Sequence, residues 1–174
     1  MATECERKFI VDRLPLAEVL GFSLDAGSHL RQGYLAEENG VVLRVRIITD
    51  ADVTSAVITV KAGGGLSRTE VEVPVPLDEA DELWSYTNGR QIDKVRHRVP
   101  LGAHVAELDV YGGELAGLLT VEVEFDSDNA ADEFVPPDWF GREVTGREEW
   151  SNAALSRRGI PADGRQQPSI DQQP

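Results

Sequence analysis

The sequence predicts an α+β fold: an eight-stranded antiparallel β-barrel with a charged lumen and an apolar outer face covered by helices. Three observations lead there. Eight stretches, most of them rich in Val, Ile, Leu and Thr, carry apolar and polar residues at period two. Short connectors with hairpin chemistry join several of them: ENG at 38–40, AGGG at 62–65 and YGG at 111–113. Along seven of the strands the polar face is charged, with almost no Ser, Thr, Asn or Gln to dilute it.

Each element follows in order. The first strand, 3–11, reads TECERKFIV and sets Glu4, Glu6 and Lys8 on one face. LPLAEVLG at 14–21 is a helix candidate stopped by Gly21. Strands follow at 29–36 and 41–49; in the latter Arg44 and Arg46 oppose Leu43, Val45 and Ile47. The strand at 55–62 ends near Lys61, and the strand at 68–75 groups Arg68, Glu70 and Glu72 against Val71 and Val73. PLDEADELWSYT at 76–87 predicts a helix with Asp78 as N-cap and a stripe of Leu77, Ala80, Leu83 and Trp84. The strand at 92–99 aligns Lys94, Arg96 and Arg98. That at 104–111 aligns Glu107, Asp109 and Tyr111, and that at 119–126 sets Glu122 and Glu124 against Val121, Val123 and Phe125. Helices are expected over 127–135, capped by Ser127 or Asp128, and over 146–159, with Arg157 and Arg158 in the last turn and Gly159 beyond it. One domain, residues 1–158, is expected, and the Pro- and Gln-rich stretch 159–174 reads as a disordered tail.

A sheet with one side in water would explain any single one of these strands. It explains the set less well, because a solvated face mixes signs and includes neutral polar residues. Closing the sheet turns the charged faces inward. The lumen would then hold Lys8, Arg44, Arg46, Lys61, Arg68, Lys94, Arg96 and Arg98, facing Glu4, Glu6, Glu70, Glu72, Glu107, Asp109, Glu122 and Glu124. So many buried charges must pair with one another or with ligands. Arg and Lys match phosphate oxygens, while clustered carboxylates call for a divalent cation. An all-oxygen donor set favours Mg²⁺ or Mn²⁺ over Zn²⁺. A metal-chelated polyphosphate satisfies both walls.

Other classes fit poorly. A net charge of −14 argues against nucleic acid and against anionic membranes. No apolar run approaches the ~18 residues of a membrane span. Cys5, the single cysteine, cannot form an intramolecular disulfide and reads as a small apolar filler; with no h-region at the N-terminus, a cytoplasmic setting is expected. KAGGGLSRT at 61–69 has glycines like a phosphate loop, but no G-K-[ST] follows, so a hairpin is expected there. His29, His97 and His104 are too scattered for a metal site, and DSDNAADE at 126–133 lacks EF-hand spacing. Trp84, Trp139 and Trp150 are expected to pack on or beside the covering helices.

The ordered motifs ECERKF, RQGYL, LRVRI, ITVK, SRTEVE, DKVRHRV, ELDVYGGELAGLLTVEVEF and GREVTGREEWSNAAL resemble the CYTH superfamily, the triphosphate tunnel metalloenzymes, in its short bacterial branch. ECERKF matches the family's E-x-E-x-K signature, and the resemblance runs to about residue 158. It implies an eight-stranded tunnel that binds triphosphate compounds with a divalent metal. It implies Glu4, Glu6, Asp109, Glu122 and Glu124 as metal ligands, and Lys8, Arg44, Arg46, Lys61, Lys94 and Arg96 on phosphate, to which strand parity adds Arg68. It further implies a catalytic pairing of Lys8 with Tyr34, the tyrosine of QGYL. Short bacterial members often end in a RYYNSNL-like helix that closes one mouth; EWSNAAL keeps an aromatic, Trp150, and Asn152, but has Ala154 for the second Asn. The leading expectation is a metal-dependent triphosphatase acting on inorganic triphosphate. The alternatives are a class IV-type adenylate cyclase, a thiamine triphosphatase and a non-catalytic binder of polyphosphate or nucleotide. Val42 stands where thiamine triphosphatases place an aromatic, and only MAT precedes Glu4, where cyclases carry an aromatic element.

Overall fold

Alternation at period two produces eight strands, β1 Ala2–Ile10, β2 Ser28–Glu38, β3 Val41–Asp50, β4 Val53–Ala62, β5 Ser67–Pro74, β6 Gln91–Leu101, β7 His104–Tyr111 and β8 Leu119–Phe125. They form a closed antiparallel barrel in the order β1-β5-β4-β3-β2-β6-β7-β8, with β8 returning to β1. The computed structural model describes residues 2–12, 27–63 and 67–164, except the side chains of 2–4, 67 and 68. The helix expected over 14–21 lies outside the described residues.

Closure leaves no free strand edge and sorts side chains into a lumen and an outer face. The β2–β3 hairpin turns on Asn39 and Gly40, both at positive φ, as the ENG connector predicts. β2 carries an irregularity between Tyr34 and Ala36, where its register against β3 shifts by one residue.

Three further elements cover the barrel. Helix α1, Leu77–Ser85, buries Ala80 with Leu83 alongside, against Val45, Ile47 and Ala56. Its N-cap is Pro76 rather than the expected Asp78, and no side chain caps it. Helix α2, Asp128–Glu133, is capped by Ser127, whose hydroxyl accepts from the Ala130 N–H. It packs over Cys5, Phe9, Leu108, Val121, Val123 and Phe125. The helix expected over 146–159 is broken: Glu148–Trp150 forms a 3₁₀ turn, and Ser151 starts a separate helix α3, Asn152–Arg158. The stretch expected to be disordered from 159 stays packed further, through a 3₁₀ turn at Ala162–Gly164. Gly164 lies so close to the Trp150 ring that an added Cβ would clash with it, and Arg142 donates to Asp163.

A third apolar cluster closes one end of the lumen. Ile10, Tyr34, Ile92 and Tyr111 meet Leu115, Leu118, Val144, Trp150 and Leu155 there. The helical cover of the outside is incomplete, since Val60, Val71 and Val73 on β4 and β5 remain exposed.

Candidate active site: a charged cavity inside the barrel

The lumen encloses a cavity of about 610 Å³. β3 and β4 contribute Arg44, Arg46 and Lys61, and β5 contributes Glu70 and Glu72. β1 and β8 contribute Glu6, Lys8, Glu122 and Glu124, while Arg96 and Glu107 come from β6 and β7. Tyr34 stands beside Arg44, its cross-strand neighbour. Register explains the grouping: Glu6 opposes Glu124, Lys8 opposes Glu122, and Glu107 opposes Glu122.

The charges fall into two sets. In the first, Lys8 lies 2.9 Å from Glu122, and Arg96 donates to Asp109 through Nε and Nη2, each at 2.7 Å. Arg96 also reaches Glu122 at 3.0 Å and Glu107, and Lys94 lies 2.5 Å from Asp109. Burial opposes the Lys8 charge, but Glu122, Tyr111 and Asp109 together outweigh it and hold the ammonium above its ordinary range. Burial likewise works against ionised Asp109, yet Arg96 and Lys94 keep its carboxyl below the usual value.

In the second set cations prevail. Arg44 reaches Glu70 at 3.1 Å, and Lys61 reaches the same carboxylate at 2.5 Å. Among the described residues Arg46 has only Glu72, at 3.9 Å. The Nε atoms of Arg44 and Arg46 are buried without a hydrogen-bond partner. Burial, with Arg44 and Arg96 nearby, pushes Arg46 down to about 10. This wall is short of anions.

Across the cavity the imbalance is reversed. Burial, with Glu107 and Glu6 adding repulsion, pushes the Glu124 carboxyl up. Facing carboxylates of this kind suit a divalent cation. Among the described residues, no three acidic, His or Cys groups already form an ion cage. Glu4 precedes them on β1 with its side chain outside the description, as is that of Arg68, its register partner.

Not every expected site residue reaches the cavity. Lys94 and Asp109 have fully buried side chains, committed to each other and to Arg96. They share the parity of the lumen residues but sit at a level the apolar end seals, so Asp109 is absent from the acidic wall and Lys94 from the basic one. Arg98 is exposed and does not line the cavity. Cys5 is buried in the outer core, as expected of an apolar filler.

The strap from Val144 to Ala153 also lines the cavity, bringing Arg147, Trp150 and Asn152. Tyr111 donates to the Asn152 side chain at 2.6 Å, and Arg157 pairs with Glu37, tying α3 to the end of β2. Arg147 and the lumen residue Gln32 escaped the sequence reading. Strand parity could have flagged Gln32, two residues before Tyr34; Arg147 lies in a turn without periodicity and carries no such signal.

No family model matches the chain. An inorganic triphosphatase of Nitrosomonas europaea is 41% identical over 157 residues, spanning 88% of this chain and 97% of that protein. An inorganic triphosphatase of Acetivibrio thermocellus is 36% identical over 157 residues, spanning 89% of this chain and 94% of that protein. The crystal structure of the inorganic triphosphatase NE1496 superposes with a TM-score of 0.65 at 37% identity, covering 92% of this chain and 98% of that one. The PH1012 protein of Pyrococcus horikoshii, at 21% identity and a TM-score of 0.53, shares the fold.

Proposed function

The chain belongs to the CYTH superfamily of triphosphate tunnel proteins, and on that premise we propose that it hydrolyses inorganic triphosphate inside the barrel with the help of a divalent cation. The observation that carries the reading is Arg46: a buried lumen guanidinium whose nearest carboxylate among the described residues is 3.9 Å away and whose Nε has no partner among them. Such a charge is costly to hold without an anion. Arg44, Arg46 and Lys61 together offer a cradle for phosphate oxygens.

Glu6 and Glu124, with Glu4 preceding them on β1, would hold the cation, Mg²⁺ or Mn²⁺, as the repulsion between facing carboxylates favours. Such an ion neutralises phosphate charge and lowers the pKa of a bound water. In the reaction a water oxygen bonds to a terminal phosphorus while the bridging P–O bond breaks. The electron pair leaves on pyrophosphate, and one water proton is released. Lys8, held cationic by Glu122, is unsuited to act as a base and supplies positive charge to the phosphates. Burial raises the Tyr34 phenol, with Arg44, Arg46 and Lys8 offsetting it in part, so Tyr34 enters as a neutral hydroxyl that can donate.

The test is phosphate release from inorganic triphosphate, ATP, thiamine triphosphate and longer polyphosphates, each with Mg²⁺, Mn²⁺ or chelator. The expected result is fastest cleavage of inorganic triphosphate, to pyrophosphate and phosphate, abolished by chelator. Cyclic AMP and pyrophosphate as the main products from ATP would overturn it, as would undiminished turnover in chelator.

A further inference from the structure

We propose that Gln32 is a positioning residue for Tyr34: its buried amide donates to the phenolic oxygen and thereby leaves the Tyr34 hydroxyl proton directed to an anion in the lumen. The inference rests on the triphosphatase reading above and adds a residue to it.

Gln32 is fully buried on the lumen side of β2, with its backbone between Arg46 of β3 and Ile92 of β6. Its Nε2 lies 3.0 Å from the Tyr34 hydroxyl, while its Oε1 is buried without a partner. An apolar side chain would avoid that orphaned carbonyl, and Leu30, two residues earlier on the same face, is apolar. What the amide gains is the bond to Tyr34.

A phenol oxygen can accept while its single proton donates elsewhere. The Tyr34 oxygen receives from the Gln32 amide at 3.0 Å. With its accepting side occupied by that donor, the O–H is left to another direction. Tyr34 borders the cavity, and Arg44 and Arg46 stand directly across from Tyr34 and Gln32 on β3. The free direction is therefore the space where these cations would hold phosphate oxygens. The register shift just after Tyr34 fixes where its ring enters the lumen.

The experiment is a double-mutant cycle on triphosphate hydrolysis with Gln32→Leu, Tyr34→Phe and both together. Gln32→Leu should lower kcat about tenfold with little change in KM, and it should add nothing further in the Tyr34→Phe background. Equal factors in both backgrounds would overturn the proposal. Gln32→Glu, which substitutes an acceptor that captures the phenolic proton, should lose at least as much as Gln32→Leu. Wild-type kcat in that variant would also overturn it. A readout independent of turnover separates this inference from the activity itself: ultraviolet titration of tyrosine. Loss of the Gln32 donor should move the Tyr34 ionisation upward, by about half a pH unit or more. An unmoved titration in folded Gln32→Leu would reject the role, whatever the protein hydrolyses.

Discussion

Replacing Arg46 with Met should make the empty protein more stable and the liganded protein less so. Met keeps much of the apolar stem and removes the guanidinium. Burial, Arg44 and Arg96 together push Arg46 below the ordinary guanidinium range, to about 10, a shift worth about 3 kcal/mol against the charged form. A lowered base is destabilised while it remains charged, so at neutral pH the full cost is present. Glu72 at 3.9 Å recovers little of it. Replacing a poorly paired buried charge by an apolar group should therefore gain about 1–3 kcal/mol, roughly 3–9 °C in Tm for a chain of this size. The assay is thermal unfolding at pH 7, with and without inorganic triphosphate. Wild type should rise strongly with ligand, by the amount that site occupancy dictates. Arg46→Met should start higher and rise far less. A variant that melts several degrees lower, yet shows the wild-type ligand response, would refute the reasoning and make Arg46 a structural residue.

Four other perturbations separate the roles of the ion pairs and of the C-terminal segment. Asp109→Asn strands Lys94 and Arg96 and should cost about 3–5 kcal/mol, while Lys94→Met with Asp109→Leu should recover most of it by denaturant unfolding. Asp109, Glu122 and Glu143 all have carboxyls lowered in the fold, so their stabilisation is complete above the ordinary carboxylate range and is lost as pH falls through it; a melting temperature flat from pH 6 to pH 3 would contradict this. Glu124→Gln should raise Tm in chelator, because it relieves the repulsion with Glu107 and Glu6, and should cut turnover about a hundredfold; unchanged turnover with unchanged metal dependence would remove Glu124 from the acidic wall. Truncation at Gly159 removes the Gly164 cover on Trp150 and should cost about 1–2 kcal/mol by denaturant unfolding; an unchanged midpoint would show that the cover adds no stability.

Period-two alternation made the barrel legible because each strand has one face in and one face out, and every expected strand forms within a few residues of its expected bounds. Helix ends were less legible. Asp78 looked like a cap from its type alone, but the chain enters α1 through Pro76, and the run from 146 to 159 bends at Ser151, whose hydroxyl serves a second start. Parity tells which side of the wall a residue occupies and says nothing of its level along the barrel axis. Lys94 and Arg96 read alike in the sequence, yet one is sealed away and the other borders the cavity. The level is set by the register of distant strands and by the strap that carries Trp150, neither of which has a local signature.

The level also decides which cations are available to a substrate. Lys8, Lys94 and Arg96 already pair with Glu107, Asp109 and Glu122 in contacts of 3.0 Å or less, and burial beside Arg96 lowers Lys94 to about 7. An incoming anion would have to compete there with carboxylates already in place, so Lys8 would act on phosphate only from within its pair with Glu122. Among the described residues Arg44 and Lys61 reach Glu70 at 3.1 Å and 2.5 Å, while Arg46 comes no closer than 3.9 Å to Glu72. A polyphosphate should thus seat first on β3 and β4, beside Tyr34, with its far side turned to the crowded carboxylates of β1 and β8. That polarity gives the lumen a direction. On the proposed reading, anion affinity would be set on one wall and cation affinity on the other, and a chelated triphosphate would meet both demands at once where a bare anion or a bare cation would meet only one.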